Sequence, residues 1–112
     1  MNNLIAAQLF IQRLKPLLAE HKVKFDPRNQ KTQLFLLQEG MNIDDVFTIL
    51  DKLEPSNYYD GPKEDYNGTS GDVMMFLYPY KKTRIYIKLK IWKDTNGDEG
   101  VVMSFHEEGY YD

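Results

Sequence analysis

Tyr86, Lys88, Lys90, Trp92 and His106 have the types and spacing to work on a phosphodiester chain. In the segment 84–93 the apolar Ile85, Ile87, Leu89 and Ile91 alternate with Tyr86, Lys88, Lys90 and Trp92. A strand sends successive side chains to opposite faces, so the first four form a core face and the second four share the other. Lysines neutralise phosphates and aromatic rings stack on bases, so a face combining both is the expected footprint for single-stranded RNA. The segment 101–107 repeats the pattern: Val101, Met103 and Phe105 are expected toward the core, Val102, Ser104 and His106 away from it. Paired as a hairpin, the two segments put His106 and Ser104 on the face of Tyr86 and Lys88.

That set has the chemistry to cleave RNA. A base must take the 2′-OH proton, cations must stabilise charge on the pentavalent phosphate, and an acid must protonate the leaving 5′-oxygen. Histidine titrates in the right range, lysine supplies the cation, and tyrosine positions or donates. The competing reading is an amphipathic strand whose outer aromatics pack beneath another element, with His106 making only a structural hydrogen bond. His21, at a helix end, reads as a favourable dipole partner.

The elements that hold this hairpin are expected as follows. Residues 3–21 form an amphipathic helix (Leu4, Ile5, Phe10, Ile11, Leu14, Leu17, Leu18) capped by Asn3, which Pro16 should kink or split. A short strand at 23–25 stops at Asp26-Pro27, and a second helix over 30–39 ends at Gly40. Asn42 caps a third helix, with Asp44 and Asp45 in its first turn and Pro55 ending it. The polar, Gly- and Pro-rich stretch 55–72 reads as one long loop. Strands at 72–80, 84–93 and 101–107 follow, the last two joined through Thr95-Asn96-Gly97-Asp98. Tyr58-Tyr59 and Tyr110-Tyr111 read as packing residues.

The length fits one domain, 1–112. Without cysteine, disulfides, thiolate metal sites and a cysteine nucleophile are excluded, in keeping with a reducing, cytoplasmic setting. No segment reaches the roughly 18 apolar residues of a membrane span, and Met1-Asn2-Asn3 before an apolar run does not read as a signal peptide. Asn67-Gly68-Thr69 is then a chance glycosylation sequon. The net charge of −3 is not that of a typical nucleic-acid binder. Its distribution is uneven, however: Lys81, Lys82, Arg84, Lys88, Lys90 and Lys93 fall in a stretch free of acids, whereas 94–112 holds acids and neither lysine nor arginine.

The acids Glu54, Asp60, Glu64, Asp65 and Asp72 lack the spacing and histidine of a metal site, and Asp94-Asn96-Asp98 lacks the closing glutamate of a calcium loop. Neither a metal nor a cofactor is therefore expected. The chain has no phosphate loop, dinucleotide fingerprint or nucleophile elbow.

The motifs Tyr-Tyr-Asp-Gly-Pro at 58–62, Gly-Asp-Val-Met-Met-Phe at 71–76, Ile-Tyr-Ile-Lys-Leu-Lys at 85–90 and Val-Val-Met-Ser-Phe-His-Glu at 101–107 occur in order over about half of the chain. In them the chain resembles the motility quorum-sensing regulator toxins, the MqsR family. Phe25, Gly40-Met41-Asn42-Ile43 and the following helix are more loosely similar. The resemblance implies a RelE-like fold and an endoribonuclease that cleaves mRNA without a metal and is neutralised by a cognate antitoxin protein. It places the family's catalytic tyrosine on Tyr86, its C-terminal basic residue on His106, and the lysine after the tyrosine on Lys88. The pattern departs at Asp60, where the family has a lysine and Lys63 lies nearby, and at Val73-Met74, where it has Trp-Gln.

The expectation is therefore an α+β domain with N-terminal helices packed on one face of a small C-terminal antiparallel sheet. Tyr86, His106 and Lys88 would be its catalytic set, and Lys90, Trp92, Arg84 and Lys63 would bind RNA. The alternative is a non-catalytic protein- or RNA-binding module using the same basic aromatic face.

Overall fold

The computed structural model describes residues 3–26, 28–64, 72–94 and 97–109. Pro27, Asn67-Gly68-Thr69, Thr95-Asn96 and Tyr110-Tyr111, named above, lie outside these. Helix α1 (Asn3–Ala19) buries Ala7, Phe10, Ile11, Leu14, Leu17 and Leu18. It runs unbroken through Pro16, contrary to the expected split. The proline deprives the Gln12 carbonyl of its intrahelical partner, and both residues lie on the exposed side of the helix. Leu4 and Ile5, assigned to the apolar face, are exposed.

Helix α2 (Gln30–Glu39) starts at Asn29, whose side chain accepts from Thr32 N at 3.0 Å, and stops at Gly40, which has a φ of +64°. Only a residue without Cβ takes that conformation freely. Helix α3 (Ile43–Asp51) opens with a reciprocal capping box: Asn42 Oδ1 accepts from Asp45 N and Asp45 Oδ2 accepts from Asn42 N, each at 2.9 Å. It ends before the buried Leu53.

Strands β1 (Val23–Phe25), β2 (Tyr58–Glu64), β3 (Asp72–Tyr80), β4 (Thr83–Asp94) and β5 (Gly97–Glu107) form one five-stranded sheet in the order β1-β5-β4-β3-β2. The expected α+β class with helices before the sheet is observed. The sheet is mixed, because β1 joins β5 in parallel while the other neighbours are antiparallel. The segment 55–72 is not a single loop: Pro55–Asn57 is a turn of 3-10 helix and β2 follows it directly. Gly61 and Pro62 hide this strand from sequence patterning, and an edge position tolerates the proline.

The helices cover one face of the sheet, meeting Met74, Phe76, Ile85, Ile87, Leu89, Ile91, Val102 and Phe105. The register of β5 on β4 slips between Lys88 and Leu89, so Lys88 faces Ser104 while Leu89 faces Val102. Met103 is thus the extra residue of a bulge, and it changes the facing of the strand. This overturns the expected alternation: Val102, not Val101 or Met103, joins Phe105 in the helix-side core.

The opposite face holds a smaller apolar cluster of Val73, Met75 and Tyr86, with Leu77 and Met103 against it. Helix α2 lies beside the β5 edge, where β1 pairs only with Gly100 to Val102. Beyond them, Asn29 Nδ2 donates to Met103 O at 2.7 Å, and Thr32 Oγ1 accepts from Phe105 N at 2.9 Å. The α2 cap residue Asn29 and the first-turn Thr32 thereby complete the hydrogen bonding of a strand edge. No helix among the described residues is long and apolar enough to cross a membrane.

Candidate functional site

The β4–β5 register sets Tyr86 opposite His106 and Lys88 opposite Ser104, the juxtaposition expected of this hairpin. The rings of Tyr86 and His106 lie 5.4 Å apart, centroid to centroid, and are tilted by 41°. Tyr59 of β2 meets Tyr86 from the other side, edge to face at 6.3 Å. His106 Nδ1 lies 3.0 Å from Glu107 O. A carbonyl only accepts, so Nδ1 carries the proton, and in the neutral ring Nε2 is the basic nitrogen.

The face is more covered than its sequence implies. Tyr86 is 6 % exposed, Lys90 5 % and His106 2 %. Val73 and Val101 flank Lys90 across the sheet, and its ammonium points over the Trp92 ring at 5.9 Å. Lys90 therefore does not stand in solvent, where an RNA-binding lysine is expected. Lys88 and Trp92 are half-buried.

Arg84 is exposed but held by Glu108, with Nε and Nη2 donating to its two carboxylate oxygens at 2.8 and 2.7 Å. Lys63 is bound to Asp60 at 2.7 Å. Their hydrogen bond holds the Asp60 carboxyl below its ordinary range and the Lys63 ammonium above its own. Lys63 faces Val73, on the side of Lys90, so it borders the candidate face from β2. Among the described residues, no acid or hydrogen-bond acceptor engages Lys88, which stays a half-buried cation without a counter-charge. No three histidine, aspartate or glutamate side chains among these residues converge as a metal site.

One depression borders His106 and another borders Lys88. The first, of about 250 Å³, is bordered by His106, Glu107 and the α2 residues Lys31, Leu34, Phe35 and Gln38. The other, of about 430 Å³, joins Lys88 and Met103 to Asp26, Arg28 and Lys31. Arg28 and Lys31 were not singled out by sequence. They carried one signal: basic residues flank the α2 start, where the helix dipole favours acids, and the first turn contains none. A third depression, of about 470 Å³ between α1 and β3 (Leu9, Phe10, Met74), holds none of the sequence-selected residues.

Comparison with families of known proteins, with curated proteins and with solved structures finds no match to this chain.

Proposed function

We propose that this protein is a metal-independent endoribonuclease of the toxin type, cleaving single-stranded mRNA in the cytoplasm and neutralised by a cognate antitoxin protein. The observation that carries the reading is the cross-strand pair Tyr86–His106 with the unneutralised Lys88 two residues along β4. The resemblance of the strand motifs to the MqsR family supports the same reading.

In this reading His106 Nε2 takes the 2′-OH proton as O2′ attacks phosphorus. Lys88 stabilises the added negative charge. The P–O5′ bond then breaks, and the Tyr86 hydroxyl protonates the departing oxygen. The products are a 2′,3′-cyclic phosphate and a 5′-hydroxyl. Both rings are nearly buried, so RNA must displace part of their cover, including Tyr59.

That burial favours a second reading, a module that binds RNA through Lys88 without cutting it. Incubating a long single-stranded RNA with protein and excess chelator separates the two. The nuclease gives discrete fragments that Tyr86→Phe abolishes, whereas the binding module retards intact RNA.

A further inference from the structure

An RNA chain following β4 would meet Lys88, Lys90 and Trp92 in turn, but this path is interrupted. Lys90 is buried and turned over the Trp92 ring. The cations continue from Lys88 across the sheet instead. The depression at Lys88 passes over the Met103 bulge to Arg28 and Lys31, and Asp26 is the acid beside them.

Asp26 fixes the Arg28 guanidinium, accepting from Nε and Nη2 at 3.1 Å each. Asn29 braces the floor through its bonds to Met103 O and Ser104 Oγ at 2.7 and 3.0 Å. Lys31 borders both this depression and the one at His106, so it links the two. The walls of the Lys88 depression hold three cationic side chains and one carboxylate, a balance suited to a phosphodiester group.

We propose that a phosphate of bound RNA sits between Lys88 and the Arg28–Lys31 corner, so that the RNA crosses β4 and β5 toward α2. This rests on the reading above for RNA as the ligand, but not for cleavage.

The test is binding of a fluorescent, fully 2′-O-methylated oligonucleotide, which has no 2′-OH to attack, over a range of salt concentrations. Arg28→Ala/Lys31→Ala should weaken binding roughly tenfold and lower the salt slope by about 0.7 for each phosphate no longer neutralised. Lys31→Ala alone keeps the Arg28–Asp26 clasp and should weaken binding less than the double variant does. Lys93→Ala removes an exposed cation at the far end of β4, on the facing opposite to Lys88 and away from this crossing, and should change affinity by less than about twofold. A weakening in Lys93→Ala with none in the α2 variants overturns the inference. Absence of any binding by the wild type overturns both the inference and the RNA reading. A protein that binds as described but never cleaves RNA overturns only the nuclease. One that cleaves while Arg28 and Lys31 prove indifferent overturns only the inference.

Discussion

The His106 imidazole packs against the Tyr86 ring at 5.4 Å, across the β4–β5 hairpin that also carries Lys88. The pair fills space in a buried setting as well as forming the proposed site, so its variants should separate. Tyr86→Phe keeps the ring packing and should change stability by less than about 1 kcal/mol while abolishing cleavage. His106→Ala empties a site that is 2 % exposed and should cost about 1–3 kcal/mol in addition to activity. Urea unfolding of each variant beside its cleavage assay checks this, with activities compared at equal folded fraction.

Thr32 should contribute through its hydroxyl rather than its shape. Its Oγ1 accepts the Phe105 amide in a buried setting. Thr32→Val keeps the β-branch but strands that N–H, at a cost of about 1–3 kcal/mol. Faster amide exchange at Phe105, with exchange in β3 little changed, would locate the effect.

Gly61 has a φ of +107°, and a Cβ there would lie 2.7 Å from Val73 O. Gly61→Ala should therefore destabilise by on the order of 1–3 kcal/mol, read as a lower urea midpoint. The damage should centre on β2, which carries Tyr59 against Tyr86.

The β3–β4 turn is tied to the end of α2 by charge. Lys81 Nζ and Tyr80 Oη both donate to Glu39 Oε1 at 2.8 Å. The Lys81 hydrogen bond, then that of Tyr80, holds the Glu39 carboxyl below its ordinary value of 4.5. A lowered folded pKa stabilises the fold above the unfolded pKa, and the contribution disappears as pH falls through the folded value. The Lys81 ammonium is raised above 10.5 by the same bond, so its contribution is present below that pH and disappears as pH rises through the raised value. Glu39→Gln should flatten both arms of a plot of urea midpoint against pH, most visibly below pH 4.5.

Much of this arrangement is legible in the sequence where local chemistry is decisive. Gly40 and Asn42 mark helix boundaries because their backbone and side-chain roles are local. The Ile85-to-Ile91 alternation marks a strand because one face is wholly apolar, and pairing it with 101–107 puts Tyr86 beside His106. What escapes has non-local causes. The Met103 bulge depends on how β5 registers on β4, and it exchanges the facing of Val101 and Val102. β2 is held by its pairing with β3 and not by its own Gly- and Pro-containing sequence. The burial of Lys90 between Val73 and Val101 needs both neighbouring strands in place. Arg28 and Lys31 share a depression with Lys88 only because α2 lies along the β5 edge.

Cleavage by the Tyr86–His106–Lys88 face is proposed to run by internal transesterification, which leaves characteristic ends on the RNA. The direct measurement is end-group mapping of the products from a long single-stranded RNA treated with wild type and with Tyr86→Phe, both in excess chelator. The wild type should give 2′,3′-cyclic phosphate and 5′-hydroxyl ends, and the variant none. Intact RNA with folded wild type, or equal cleavage by Tyr86→Phe, would contradict it.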